Sequence, residues 1–167
     1  MSSEQMYGCL YCKTGSEKSI AEYIREAFED VETVVPMRLR RKKVDGKVIE
    51  DFVQLLPGYL FFRTVNASSA IRLPTITNVY RLLEYENRNW QLIDHDRAFA
   101  EFLFENDLRQ VPIVKFINGR LHFEDGFLQG YDEQVLRVNR RKQTAEVQLK
   151  ISNLSFWIGY NETNQME

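Results

Sequence analysis

The sequence predicts an α+β protein, in which an α/β sandwich (an antiparallel sheet flanked by helices) is followed by a small β-barrel. Apolar residues recur at helical spacing in the first part of the chain. That period vanishes from Val111 onward, where short strands and turn glycines at 119, 126, 130 and 159 replace it. We therefore place a boundary near residue 108, with a first domain at 1–107, a linker at 108–111 and a second domain at 112–167.

The first domain begins with a strand, a helix and a second strand. Residues 7–13 are predicted to form a buried strand, and the turn that follows leads to Ser16. Ser16 is placed to cap a helix that starts at Glu17. The apolar face of this helix comprises Ile20, Ile24, Ala27 and Phe28. Residues 31–36 supply the second strand.

A hairpin and a further set of strands and helices complete the first domain. The hairpin spans residues 38–54, and Asp45 with Gly46 supplies a turn that accepts positive φ. The remaining elements are a strand at 60–65 after the Pro57 and Gly58 turn, a short helix at 67–73, a strand at 79–85 and a long helix capped by Asp94 or Asp96. The order β-α-β-β-α-β with a trailing helix predicts a sheet with helices packed on it.

Composition limits the possible function classes. The 167 residues are 44% hydrophobic and 13% aromatic, which is enough for packed cores and argues against disorder. The formal net charge is −2, so any nucleic-acid role depends on local basic patches. No segment approaches the roughly 18–20 apolar residues of a membrane span, and no signal peptide opens the chain. We expect a cytoplasmic protein without a membrane partner.

Residues that build metal or catalytic sites are few. Cys9 and Cys12 form a C-x-x-C, but no second pair is present to complete a zinc site. Residues three apart in a strand lie on opposite faces, so the two thiols do not converge easily. His95 and His122 are far apart, and neither a nucleophile motif nor a glycine-rich phosphate loop is present. We expect reduced cysteines, no metal, no cofactor and no enzymatic activity.

Two basic clusters are candidate nucleic-acid surfaces. The hairpin cluster comprises Arg38, Arg40, Arg41, Lys42 and Lys43. It is either a solvated arm balanced by nearby carboxylates or an arm that contacts phosphates, since clustered cations displace counterions without reading sequence. The barrel cluster comprises Arg137, Arg140, Arg141 and Lys142, with Lys150 beyond them. It is either a solvated turn or an RNA surface, on which Phe127 and Tyr131 would stack against unpaired bases.

Two motifs in a fixed order resemble one known family. The first is Leu56-Pro57-Gly58-Tyr59 with Phe61 behind it, and the second is Gly126-Phe127-Leu128-Gln129-Gly130 followed by Val135, Val138 and the basic turn. Together they resemble the NusG-like transcription elongation factors, in which an N-terminal NGN domain carries the first motif and a C-terminal KOW (SH3-like) β-barrel carries the second. The resemblance covers essentially the whole chain, and within the family it is closest to the LoaP-type specialised paralogues. The departures from the family pattern are Gly8 for an aromatic residue, Leu56 for phenylalanine, Phe127 for proline, Glu133 for glycine and Asn139 for aspartate.

The resemblance implies a monomeric binding protein whose main partner is bacterial RNA polymerase. In the family, the first motif helps to build an apolar pocket that grips the clamp helices of the largest polymerase subunit. Carried over, the polymerase contacts are Tyr7, Leu56, Tyr59 and Phe61. Each of these four residues also suits an ordinary core. The hairpin cluster would lie near upstream DNA, and the KOW domain would bind nascent leader RNA or a protein, such as a ribosomal protein or a termination factor.

The sequence therefore favours a transcription antitermination factor that acts on specific operons. A general housekeeping NusG-type factor, whose KOW domain recruits proteins, is one alternative. A free-standing KOW-type RNA-binding or ribosome-associated module is another. The sandwich ahead of the barrel argues against this last alternative, because such a module would not need it.

Overall fold

The computed structural model describes residues 4–105, 111–124 and 128–163. The chain forms two compact units, one made of Met1–Pro36 and Leu56–Glu105 and the other of Met37–Leu55 and Asn106–Glu167. The predicted hairpin therefore belongs to the second unit, although the sequence analysis assigned it to the first domain. The boundary near residue 108 stays a prediction, because residues 108–110 of the expected linker lie outside the described residues.

The first unit is a four-stranded antiparallel sheet with helices on both faces. Its strands are β1 (Met6–Cys12), β2 (Val31–Val34), β5 (Tyr59–Thr64) and β6 (Val79–Leu82), in the spatial order β2-β5-β1-β6. Its helices are α1 (Glu17–Ala27), α2 (Ala67–Arg72), which runs into a 3-10 turn at Leu73–Thr75, and α3 (Asp94–Glu105). The predicted strands and helices of this unit are confirmed, although β2 and β6 end sooner than expected.

One face of this sheet packs against α1 and α2. Alternation along the strands brings together the buried side chains Leu10, Cys12, Leu60 and Phe62, with Ile20 and Ile24 from α1 and Ala70 from α2. Gly8 lies opposite Phe62 in the register of β1 and β5. A Cβ at Gly8 would stand 2.4 Å from the Phe62 ring, which stacks on Trp90 with 5.7 Å between the centroids. The aromatic residue expected at position 8 is thus replaced by a ring from the neighbouring strand.

The opposite face of the sheet is covered at one end by α3. This face carries Tyr7, Cys9, Tyr11, Tyr59 and Phe61. Phe99 of α3 meets the Phe61 ring at 5.7 Å between centroids, and Phe104 meets Tyr7 at 5.9 Å. Cys9 and Cys12 lie on opposite faces, and both are buried and free of disulfides. The prediction that the two thiols do not converge is confirmed.

The second unit is built from strands. The hairpin pairs β3 (Met37–Val44) with β4 (Lys47–Gln54), and Asp45 and Gly46 turn between them with φ of 52° and 78°. The other strands are β7 (Ile113–Ile117), β8 (Arg120–Phe123), β9 (Val135–Asn139), β10 (Thr144–Gln148), β11 (Ser155–Gly159) and β12 (Asn161–Glu162). Between described residues they form two three-stranded sheets, β11-β10-β9 and β12-β7-β8, rather than one closed barrel. This strand-rich arrangement is compatible with the predicted KOW domain, and the predicted α+β class is confirmed.

Candidate functional site

The Pro57 and Gly58 turn is held in place by the first residue of α1. Gly58 has a φ of +92°, a region that L side chains rarely adopt. The buried carboxylate of Glu17 accepts the Gly58 N–H at 2.9 Å and the Gly15 N–H at 2.6 Å. The Gly58 carbonyl in turn accepts the Cys12 N–H at 2.8 Å. Glu17 therefore clamps two turns together and aligns the start of β5 with the end of β1.

The start of α1 was predicted at the correct residue, but the predicted side-chain cap is not formed. Ser16 occupies the N-cap position of α1, yet its side chain makes no capping hydrogen bond. The carboxylate of Glu17 instead bonds to backbone N–H groups outside the helix. Since the second of these donors is 41 residues away in sequence, a local pattern could not identify it.

Helix α3 covers one end of the sheet, and three tyrosines form a cluster beyond that end. Tyr11 stacks on Tyr59 with 5.1 Å between ring centroids and an interplanar angle of 30°. Tyr80 meets Tyr11 edge-on at 5.3 Å, and the Arg81 guanidinium lies 5.9 Å from the Tyr11 ring. Tyr80 is 57% exposed, whereas Tyr11 and Tyr59 are half-buried. We call Tyr11, Tyr59 and Tyr80 the tyrosine patch.

The tyrosine patch contains only one of the four predicted polymerase contacts. Tyr59 belongs to it, and burial raises the pKa of its hydroxyl, so this group stays neutral. Tyr7 and Leu56 are each 5% exposed, and Phe61 is fully buried. These three residues pack beneath the surface, as the ordinary-core interpretation expects, and they support the strands that carry the patch.

The sequence analysis missed Tyr11 and Tyr80. Period-two alternation from Tyr7 would have placed Tyr11 on the same face of β1, so that signal was available. Tyr80 had no such signal. Its position depends on the pairing of β6 with β1, which shifts register between Tyr11 and Cys12.

The hairpin cluster is partly paired with carboxylates. Arg40 donates two hydrogen bonds to Asp51, at 3.0 and 2.7 Å, and Lys42 lies 3.9 Å from the same carboxylate. Arg41 lies 3.4 Å from Glu50. Within the described part of the chain, Arg38 and Lys43 have no carboxylate within 4.0 Å. The interpretation as an arm balanced by carboxylates therefore holds for Arg40, Arg41 and Lys42, and the contact with phosphates stays a prediction.

The barrel cluster is divided by the structure. Arg137 pairs with Glu146 at 2.8 Å and lies over the Trp157 ring, and Arg140 pairs with Glu162 at 2.8 Å. Lys150 lies past the far end of β10, two residues beyond Gln148 and away from the β9–β10 turn. The exposed side chains that remain in the β9–β10 turn are those of Arg141 and Lys142.

One of the two aromatic residues predicted to stack on RNA bases is buried. Tyr131 is 1% exposed, so its ring cannot stack on a base without leaving the core. That prediction is wrong, because the residue that follows the Gly130 turn points inward. Phe127 lies outside the described residues.

The fold agrees with the comparisons to known proteins. Residues 7–103, more than half of the chain, match the NusG family, described as transcription termination factor nusG. The antiparallel sheet with helices on both faces is an NGN-like fold, and the family match makes this chain a transcription factor. The chain belongs to the NusG family, whose members are non-enzymatic transcription factors.

A solved structure shows a similar fold at low sequence identity. A structure of Thermotoga maritima NusG, described as showing domain interaction, matches at 14% identity with a TM-score of 0.57 and covers 95% of this chain and 94% of that one. A chain of the MjSpt4:Spt5 complex matches at 14% identity with a TM-score of 0.37 and covers 92% of each chain. The first supports the fold alone, and the second is too distant to add to it. No curated protein sequence is significantly similar to this chain.

Two further findings concern the described residues only. None of the helices within residues 4–105, 111–124 and 128–163 has the length and apolar character needed to cross a membrane. In the same part of the chain, no three His, Cys, Asp or Glu side chains come together in a group that could hold a metal ion.

Proposed function

We propose that this protein is a cytoplasmic antitermination factor that binds bacterial RNA polymerase through its first unit and suppresses pausing and termination on specific operons. Membership of the NusG family supports the transcriptional role. The observation that carries the polymerase contact is the tyrosine patch. The Tyr11 ring contacts both Tyr59 and Tyr80 beyond the end of the sheet that α3 covers, and Tyr59 directly follows the clamped Pro57 and Gly58 turn.

The tyrosine patch has the properties of a protein-binding hot spot. Tyrosine buries a large apolar area while its hydroxyl retains a polar partner, and few rotatable bonds are lost on binding. The rings of Tyr11 and Tyr59 are already stacked, and the Glu17 clamp fixes the strand ends that carry them. Because this order exists before association, less conformational entropy is lost on binding. The partner we propose is the clamp-helix pair of the largest polymerase subunit.

The proposed mechanism is binding without chemistry. A ligand shifts a conformational equilibrium only by the difference between its affinities for the two states. If the tyrosine patch binds the polymerase with a closed clamp more tightly than with an open clamp, it favours the closed state. Each tenfold difference in affinity between the closed and the open clamp corresponds to about 1.4 kcal/mol. A modest preference for the closed clamp is therefore enough to prolong the time that the polymerase spends in the processive state.

The second unit would supply selectivity through nascent leader RNA. The cations of the hairpin and of the β9–β10 turn support this, because phosphate attraction is local in a chain with a net charge of −2. One observation favours a different partner for this unit. Leu136 and Val138 on β9 are 48% and 39% exposed, and exposed apolar residues on a strand at the edge of a sheet suit a protein partner. Recruitment of a ribosomal protein or a termination factor by this strand would correspond to the housekeeping alternative.

Measuring polymerase affinity tests the first half of the proposal. We expect Tyr59→Ala with Tyr80→Ala to weaken binding strongly, since aromatic hot spots contribute on the order of 2 kcal/mol or more each, roughly thirtyfold each in Kd. Tyr23→Ala is the matched control, because Tyr23 is a 53% exposed tyrosine on α1, outside the patch. Phe61→Ala is unsuitable, because removing a fully buried ring costs about 3–5 kcal/mol of stability. Wild-type affinity in the folded double variant would refute the assignment.

Transcription on two templates tests the second half. In a purified system, we expect the protein to raise readthrough of a terminator that follows its own leader sequence and to have little effect after an unrelated leader. Equal readthrough on both templates would favour the housekeeping alternative. The Tyr59→Ala with Tyr80→Ala variant should lose the effect on either template.

A further inference from the structure

The hairpin cluster and two members of the barrel cluster, Arg141 and Lys142, are nearly a hundred residues apart in sequence and line a single cavity within the second unit. The cavity has a volume of about 1080 Å³. One wall is strand β3 of the hairpin, and the other is formed by the β9–β10 turn with Asn139, Thr144 and Gly159 beside it. Arg41 Nη1 donates a hydrogen bond of 3.2 Å to Asn161 Oδ1 on β12, which ties the hairpin to another strand of the same unit.

The lining of this cavity has one sign of charge. It contains seven cationic side chains and no carboxylate among the described residues: Arg38, residues 40–43, Arg141 and Lys142. The acids that pair with Arg40 and Arg41 belong to β4 and are not part of the lining. Burial and the neighbouring charge of Arg40 lower the pKa of Arg38, as expected where cations are crowded. A concave surface of this kind concentrates the field on an anionic ligand.

We infer that this cavity is one composite groove for the phosphate backbone of a double-stranded nucleic acid, with the hairpin and the β9–β10 turn acting together on the same ligand. The inference rests on the nucleic-acid half of the proposed function and makes it more specific. Separate sites on the two elements would give independent contacts, whereas a shared cavity requires both for tight binding.

The lining favours a backbone over unpaired bases. Single-strand binding surfaces combine cations with aromatic rings on which bases stack. No aromatic residue occurs in the described lining, where the apolar members are Leu39, Val48 and Val111. The nearby Phe116 ring lies outside the lining and is covered by the Arg140 guanidinium at 4.1 Å. Phosphates spaced along a duplex match a groove of cations, and a duplex is recognised largely through its backbone and shape.

At Asn139 this chain differs from the family pattern in a way that affects the charge of the cavity. The family pattern has aspartate here, which would place a negative charge in the lining. Asn139 Oδ1 accepts the Lys142 N–H at 3.1 Å and so orders the turn without adding that charge. A carboxylate could accept the same hydrogen bond, so Asn139→Asp changes the charge of the groove and preserves the shape of the turn.

The experiment measures binding of the full-length chain to three probes at two salt concentrations. The probes are an RNA stem-loop with about 16 base pairs, a DNA duplex of the same sequence, and a single-stranded RNA of equal length. One double variant carries Arg38→Ala with Lys43→Ala, and the other carries Arg141→Ala with Lys142→Ala. Lys18→Ala with Arg25→Ala is the control, because it removes two exposed charges from α1.

We expect both double variants to weaken binding to the same duplex probe. Each lost phosphate contact should reduce the log–log salt slope by roughly 0.9 and remove a factor of about 3 from the affinity drop between about 50 and about 200 mM salt. Asn139→Asp should also weaken binding, and the control should not. The duplex probe that binds more tightly identifies the source of the backbone, a nascent RNA stem or DNA.

Three results would overturn the inference. In the first, the hairpin variant affects only DNA and the turn variant affects only RNA, which indicates two separate sites. In the second, single-stranded RNA binds as tightly as both duplexes. In the third, no probe binds at all, and the nucleic-acid half of the proposed function then fails as well. Polymerase binding by the same variants should stay at the wild-type level, so the two halves of the account are tested separately.

Discussion

Replacing Glu17 with glutamine should loosen the clamped turn that presents the tyrosine patch. The Glu17 carboxylate accepts the N–H groups of Gly15 and Gly58 at 2.6 and 2.9 Å while only 1% of the residue is exposed. Glutamine keeps one acceptor oxygen, so one of the two donors would face an amide NH₂ group. A hydrogen bond to a charged group contributes about 1.5–3 kcal/mol, and we expect Glu17→Gln to lower the free energy of unfolding by about that amount. Glu17→Ala, which leaves both donors unsatisfied, should cost roughly twice as much.

The assay is urea denaturation followed by tryptophan fluorescence. Trp90 packs on Phe62 in the first unit, so a Trp157→Phe background makes the signal report that unit. With an m-value of about 1–3 kcal/mol/M, the expected loss moves the urea midpoint by on the order of 1 M. Glu22→Gln is the matched control, since it removes an exposed carboxylate from the same helix. If Glu17→Gln unfolds at the same midpoint as Glu22→Gln, the clamp does not stabilise the turn and the reasoning is wrong.

Two more predictions concern the sheet of the first unit. Gly8→Ala should destabilise it by about 1–3 kcal/mol through overpacking, because the new Cβ would stand 2.4 Å from the Phe62 ring. Adding Phe62→Leu should recover part of that loss, and an unchanged melting temperature for Gly8→Ala would contradict the packing. Burial raises the pKa of Cys9 and raises that of Cys12 to about 11, so iodoacetamide should modify both thiols only after unfolding. Since the folded pKa exceeds the unfolded one, these thiols leave stability unchanged below the ordinary thiol pKa of 9.0 and reduce it as the pH rises toward about 11. Rapid alkylation of the native protein would argue against their burial.

Elements encoded by short-range chemistry were predictable from the sequence. The Asp45 and Gly46 turn needs two residues that tolerate positive φ, and the sequence supplies them at the observed positions. The apolar face of α1 follows from its period, and Ile20 and Ile24 are buried as expected. The Pro57 and Gly58 turn was also located correctly. In each case the physical cause lies within a few residues of the feature.

Features that depend on distant partners were not predictable in the same way. The pairing shift between β1 and β6 places Tyr80 beside Tyr11, and no local pattern encodes that shift. Arg41 and Asn161, whose hydrogen bond links the hairpin to β12, are 120 residues apart. The buried state of Tyr7, Leu56 and Phe61 follows from how α3 and the turn pack on the sheet, whereas their composition suits a core and a binding pocket equally well.

Site-specific photocrosslinking to RNA polymerase tests the central claim most directly. A benzophenone amino acid would replace Tyr80, which is 57% exposed in the tyrosine patch, and in a second protein Tyr23, which is 53% exposed on α1. Similar exposure makes the two probes comparable. The account predicts that the probe at position 80 crosslinks to the largest polymerase subunit and that the probe at position 23 does not. Crosslinking from position 23 alone, or from neither position while the protein remains bound to polymerase, would contradict it.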